Sequence, residues 1–143
     1  MSTAEIGDLL NAVGQEAANI IGKAPNDVFV YIEAGDNWQG GAVFEDQGNR
    51  VIYHDPSRPM IKLTERLWDA ADADKKWSMI HYDINDDKFS VEYFYQNDLE
   101  HDVISYDYRQ DALVARYGEK PVIYPPPDDM FHDITEDDLK DLP

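Results

Sequence analysis

The stretch "VFVYIEAGDNWQGGAVFED", residues 28–46, contains two runs of β-branched and aromatic residues separated by a Gly-Asp-Asn turn. Runs of this composition, joined by Gly and Asn, are typical of an antiparallel β-hairpin. Alternation gives the first run two faces: Val28, Val30, Ile32 and Ala34 on one, and Phe29, Tyr31 and Glu33 on the other. The stretch therefore predicts strands at 28–34 and 38–46 in an antiparallel sheet.

Two adjacent glycines, Gly40 and Gly41, lie inside the second predicted strand. A phosphate-binding loop would need a lysine after such glycines, and none follows. Glycine within a strand more often marks a bulge or the close approach of another backbone. We therefore interpret this pair as structural.

The remaining elements follow outward from the hairpin by the same criteria. We predict strands at 50–54, 77–84 and 89–95, and helices at 3–22, 58–73 and 105–117. Strands joined by short turns, with helices between them, indicate an α+β fold. We expect an antiparallel sheet of about five strands with helices packed on one face, in two layers. This domain would span residues 1–124, followed by a Pro-rich and acidic extension at 125–143.

Charge is the strongest compositional signal. The chain has 30 acidic and 12 basic residues, a net charge of −18, and residues 83–111 alone carry −7. Such a field repels nucleic acid and anionic membranes, and attracts basic proteins. The sequence has no cysteine, no apolar run of the ~20 residues that a membrane helix needs, and no signal-peptide pattern at its start. We expect a cytoplasmic protein with no direct nucleic-acid or membrane binding.

Motifs that would carry chemistry fail on their spacing. The segment from Asp83 to Asp87 resembles the start of a calcium loop, but Lys88 replaces the required glycine and Phe94 the closing glutamate. The histidines show no metal-ligand spacing, and no Gly-x-Ser-x-Gly motif is present. We therefore predict no catalytic residues, no metal and no cofactor, and a protein that is not an enzyme.

The segment "KFSVEYFYQNDLEHD", residues 88–102, runs from a strand rich in aromatic residues into a cluster of acids. Charged groups are too costly to bury unpaired, so these acids must lie at the surface. Aromatic rings beside charge of one sign suit the binding of a basic protein, and the positive clefts of nucleases are one such target. The predicted binding residues are Asp83, Asp86, Asp87, Glu92, Tyr95, Asp98, Glu100, Asp102, Tyr106 and Asp107.

The same segment, together with "YDYRQDALVARYGEKPVIYPPP" at 106–127, resembles the YezG-like antitoxin or immunity proteins of bacterial polymorphic toxin systems. The similarity extends over about residues 26–127, and Asp128 to Pro143 have no counterpart in the family pattern. The resemblance implies that the chain neutralises a cognate toxin domain, expected to be a basic nuclease, by direct binding. It implies no catalytic residues.

Two other functions remain open at the level of sequence. The chain could be a small-molecule-binding or enzymatic domain with a cleft between sheet and helices, lined by Trp38, Tyr53 and Trp77. It could instead be a structural adaptor that acts through the acidic extension. The sequence leaves the oligomeric state undetermined.

Overall fold

The computed structural model describes residues 3–36, 38–96 and 106–124. The elements in chain order are α1 Thr3–Ile21, β1 Val28–Gly35, β2 Trp38–Asp46, β3 Val51–His54, α2 Arg58–Ala70, β4 Met79–Asn85, β5 Lys88–Phe94, α3 Tyr106–Tyr117 and β6 Val122–Ile123. The predicted extension at 125–143 lies outside the described residues.

The described strands form a six-stranded sheet in the order β5-β4-β1-β2-β3-β6. The neighbours from β5 to β3 pair antiparallel, and β6 adds a parallel strand beside β3. The α+β class and the antiparallel sheet are thus confirmed, with six strands instead of about five. The sixth strand has two residues, which is too short to leave a pattern in the sequence.

The first face of the sheet, which carries Val28, Val30 and Ile32, packs against α1 and α2. Val13 and Ala17 of α1, with Met60 and Leu67 of α2, are buried there. Ser57 caps α2, since its hydroxyl oxygen accepts a hydrogen bond from the Met60 amide at 3.2 Å. The same hydroxyl donates to Glu16 of α1 at 2.8 Å, which ties the two helices together. These helices form the helical layer that the sequence predicted.

The second face, which carries Phe29, Tyr31 and Phe44, is also buried, and α3 accounts for this. Ala112 and Leu113 of α3 are 5% and 3% exposed within this second cluster. α3 therefore departs from the predicted packing of all helices on one face. The physical reason is that β1 is apolar on both sides, so each side needs a cover.

Gly41 lies where β1 and β2 approach closely. A Cβ atom at this position would stand 2.9 Å from the Tyr31 carbonyl oxygen, closer than side chains tolerate. The prediction of a close backbone approach is confirmed for Gly41. Gly40 instead faces the Glu33 side chain, which would lie 3.2 Å from such a Cβ.

Candidate protein-binding surface

A two-residue turn joins β4 to β5 and sets the position of two predicted binding residues. Asp86 and Asp87 have φ angles of 52° and 64°, the left-handed conformation that a type I′ hairpin turn requires. Asp tolerates this conformation better than most residues, which explains its use here. The Asp86 amide also donates to the Asn26 side chain at 2.9 Å, so the turn is anchored to the loop before β1. Both carboxylates are consequently held exposed at the tip of the hairpin.

Glu92 and Tyr95 lie farther along the same hairpin, on opposite faces of the sheet. Glu92 is exposed and pairs in register with His81 on the second face. Tyr95 is half-buried and packs against the first-face core, with the Lys75 ammonium 5.2 Å from its ring centroid. The structure therefore places these two predicted binding residues on different faces of the sheet, although they are only three positions apart in the sequence. Because β5 is an edge strand, Glu92 stands at the margin of the sheet.

Asp83 is the predicted binding residue that is most engaged within the chain. Arg116 of α3 donates to both its oxygens, at 2.6 Å from Nε and 2.8 Å from Nη2. The same guanidinium lies 3.9 Å above the Phe29 ring, and its Nη2 lies 3.3 Å from His81 Nδ1. A bidentate pair of this kind neutralises the carboxylate. In this structure Asp83 therefore attaches α3 to the sheet.

Burial governs the protonation of His81 beside this pair. The ring is 9% exposed, and burial together with the Arg116 charge lowers its pKa to about 4, although Asp83 acts in the opposite direction. Neutral imidazole can accept from Arg116 at Nδ1, so the geometry and the direction of the shift agree. Sequence reasoning missed the whole cluster, because its members are 33 and 35 residues apart in the chain.

The side chains of the other five predicted binding residues are not among those that the structure describes. Tyr106 and Asp107 lie in the first turn of α3, and their side chains are outside the described set. Asp98, Glu100 and Asp102 belong to residues 97–105, which are outside it as well. Their role stays a prediction.

A second polar cluster, unforeseen in the sequence, lies on the second face beside α3. The Tyr31 hydroxyl donates to Glu33 at 3.1 Å, and Glu33 has no basic side chain within 4 Å among the described residues. Burial raises the pKa of Glu33, while the Tyr31 hydrogen bond and the charge of Arg109 act against that rise. Burial also raises the pKa of Tyr31. The alternation of β1 had placed both residues on one face, which is the signal that could have found the pair.

Arg109 links this cluster to β2 and β3. Its guanidinium lies 5.7 Å from the ring centroids of both Phe44 and Tyr53. The Tyr53 hydroxyl donates to Asp55 at 2.8 Å, and burial, followed by that hydrogen bond, raises the pKa of Tyr53 to about 12. These contacts fix the start of α3 over the sheet.

The cleft considered for the alternative function does not form around the three predicted aromatic residues. Trp77 is buried in the first-face core, whereas Tyr53 packs with the second-face cluster. Trp38 pairs in register with Gly35, so it belongs to the second face, where it is 44% exposed. These three rings therefore do not line a common cleft.

Within the described part of the chain, no group of three or more His, Cys, Asp or Glu residues is placed to hold a metal ion. Among the described helices, none has the length and apolar composition that crossing a membrane requires. No family model matches the sequence, and no curated protein matches it either. The similarity to YezG-like proteins therefore remains a resemblance in sequence motifs.

Proposed function

We propose that this chain is an immunity protein, or antitoxin, that neutralises a cationic toxin domain by binding it directly. The β4–β5 hairpin carries the proposal. Asp86, Asp87 and Glu92 are exposed on it, and Lys88 is the basic residue among them. An edge hairpin that presents negative charge can steer a basic partner into contact.

The partner that fits best is a basic nuclease domain, because such a domain must hold phosphate in a positive cleft. Acidic groups on a hairpin can occupy or flank that cleft without any chemistry of their own. The proposed site of action is the cytoplasm of the cell that makes both proteins. Asp98, Glu100 and Asp102 follow the hairpin in sequence and add three negative charges to this part of the chain.

The test measures binding to the toxin domain encoded beside this chain's gene. We expect the triple variant Asp86→Asn, Asp87→Asn and Glu92→Gln to associate roughly tenfold more slowly at low salt, since three steering charges are gone. Asn is chosen at the turn because it also tolerates the left-handed conformation. Stopped-flow or surface-plasmon measurements give the rate constants, and protection from nuclease activity gives the functional readout.

The matched control removes the same charge elsewhere. Glu65→Gln, Asp69→Asn and Asp74→Asn neutralise three exposed acids in and just after α2. We expect this control variant to slow association with the toxin domain by less than a third of the factor measured for the hairpin variant. Equal losses in both variants mean that only net charge matters and that the hairpin is not the docking site. No binding by the wild type at micromolar concentration contradicts the proposed function itself.

A separate variant addresses the segment between β5 and α3. Asp98→Lys, Glu100→Lys and Asp102→Lys reverse three charges that the sequence assigns to the interface. We expect protection from the toxin to be lost. Intact binding by this variant removes these residues from the interface, whatever the hairpin does.

A further inference from the structure

A cavity of about 210 Å³ lies between the first face of the β1–β2 hairpin and α2. Ile32 and Val43 line it from the sheet, and Met60 and Thr64 line it from α2. Its walls are mainly apolar carbon. An engineered apolar cavity of ~150 Å³ is already large enough to hold benzene. The space is therefore sufficient for a ring-sized molecule.

Position 41 cannot contribute a side chain to this space. Gly41 lies on the cavity wall, and the Tyr31 carbonyl oxygen is 2.9 Å from where its Cβ would stand. The start of α2 is held in place from outside the cavity, by the Ser57 cap and its hydrogen bond to Glu16. Protein interiors are normally packed with few voids larger than a water molecule. Gly41, on the sheet side of this cavity, must remain glycine and therefore leaves space that a side chain would otherwise occupy.

One polar side chain on the cavity wall is open to solvent and could exchange water for a ligand. Gln39 is half-buried, and its side-chain amide forms no hydrogen bond with another described residue. The Thr64 hydroxyl, by contrast, is already used, because it donates to the Ile61 carbonyl at 2.8 Å. Gln39 can both donate and accept, so it can satisfy one hydroxyl or carbonyl group of a bound molecule.

Access and charge restrict the class of ligand further. Ile61, which also lines the cavity, is 42% exposed, so the cavity opens to solvent beside it. The net charge of −18 disfavours the approach of anions, and the apolar walls disfavour any ion. A neutral molecule is the class that fits.

We propose that the cavity between the β1–β2 hairpin and α2 binds a small neutral molecule, with a ring-sized apolar body and one hydroxyl group that hydrogen-bonds to Gln39. This site is distinct from the acidic hairpin, and binding there does not depend on the toxin partner. It gives the chain a ligand-binding function in addition to protein binding. The apolar body replaces the missing side chain of Gly41 between sheet and helix.

The test titrates the ¹⁵N-labelled full chain with three probes: phenol, benzene and benzoate. We expect phenol to bind with a dissociation constant on the order of 1 mM, benzene more weakly, and benzoate not at all. Saturable shifts should concentrate at the amides of Gly40, Gly41 and Thr64. Phenol should also raise the thermal midpoint, because it binds the folded state only.

Two variants locate the site. Gln39→Leu should weaken the binding of phenol roughly fivefold, which corresponds to the loss of about one hydrogen bond. The same variant should bind benzene with unchanged or higher affinity. Thr64→Leu should reduce the cavity and weaken the binding of both phenol and benzene, whereas Thr64→Val, which has nearly the same shape as Thr, should retain benzene binding. The proposal is overturned if neither phenol nor benzene gives saturable shifts in the wild type. Shifts that persist equally in Thr64→Leu overturn it as well, and the wild-type titration decides the matter if that variant does not fold.

Discussion

At the residue scale, the environment of His81 combines aromatic rings with one cation. The Phe94 and Phe29 ring centroids lie 4.5 Å and 5.3 Å from its own, and Tyr31 lies at 6.0 Å. Arg116 and Asp83 face it from α3 and from its own strand, and Glu92 is its cross-strand neighbour on β5. Between pH 4 and 6.5 the folded state therefore holds His81 neutral, whereas the unfolded chain is mostly protonated at this residue.

This difference predicts how stability depends on pH. The pKa of His81 falls from 6.5 to about 4 on folding, so between these values the unfolded chain binds more protons. Stability from this residue is complete above pH 6.5 and is lost as the pH falls towards 4. The loss should be on the order of 2–3 kcal/mol. Urea unfolding at a series of pH values measures it.

The control for this prediction is His81→Phe, which keeps a ring and removes the titration. Glu33, whose pKa is raised on folding, contributes a slope of opposite sign, but it does so in both proteins. The difference between the two pH profiles therefore isolates His81. Parallel profiles between pH 4 and 6.5 contradict the prediction, whatever the variant costs in stability.

At the element scale, α3 combines a small buried apolar face with the cation–π contacts of Arg109 and the ion pair of Arg116. Ala112 and Leu113 are its buried residues among those described. Arg116 adds the bidentate pair with Asp83, and both side chains are more than three-quarters buried, with 21% and 24% exposed. A helix with so small an apolar face depends strongly on such a contact.

We expect Arg116→Met to destabilise the protein by about 2–3 kcal/mol, because it leaves the Asp83 carboxylate partly buried without its partner. Hydrogen exchange should accelerate most in α3. Asp83→Asn in the same chain should recover part of the loss. Arg66→Met, at an exposed position of α2, is the matched control, and it should change the free energy of unfolding by no more than about 0.5 kcal/mol. Equal effects of the two Arg variants contradict this role of Arg116.

An element could be predicted from the sequence when the residues that determine it are close together in the chain. The hairpins follow from turn residues a few positions apart, so β2 was predicted with its observed bounds, and the Asp86-Asp87 turn falls between the strands predicted at 77–84 and 89–95. The Arg116–Asp83 pair that attaches α3 to the second face is encoded by no local pattern. The two apolar faces of β1 were visible in the sequence and required a cover on each side. β6 depends on parallel pairing with a distant strand, which two residues cannot specify.

The candidate sites divide in the same way. The exposure of Asp86, Asp87 and Glu92 follows from a turn and an alternating strand, and it could therefore be predicted from the sequence. The engagement of Asp83 within the chain is not, because its partner is on another element. The cavity is still less predictable, since it arises from the distance between α2 and a strand that must carry glycine.

At the scale of the whole molecule, net charge opposes the compact state. The chain carries −18, and the extension at 125–143 contributes seven acids and one base to it. Self-repulsion of this kind is screened by salt, with a Debye length of about 30 Å at 0.01 M and about 3 Å at 1 M. Salt should therefore stabilise this protein through its overall field, independently of any single ion pair.

We expect the thermal midpoint of the full chain to rise by several degrees between 0.01 M and 1 M NaCl. A chain ending at Tyr124 has a net charge of −12, and repulsion grows roughly as the square of charge, so its rise should be about half as large. At 1 M NaCl, where repulsion is screened, the two midpoints should agree if residues 1–124 form the domain. A lower midpoint for the shorter chain at 1 M shows that the extension packs on the fold. Circular dichroism follows both transitions, and it separates the charge of the extension from its contacts, because only contacts survive high salt.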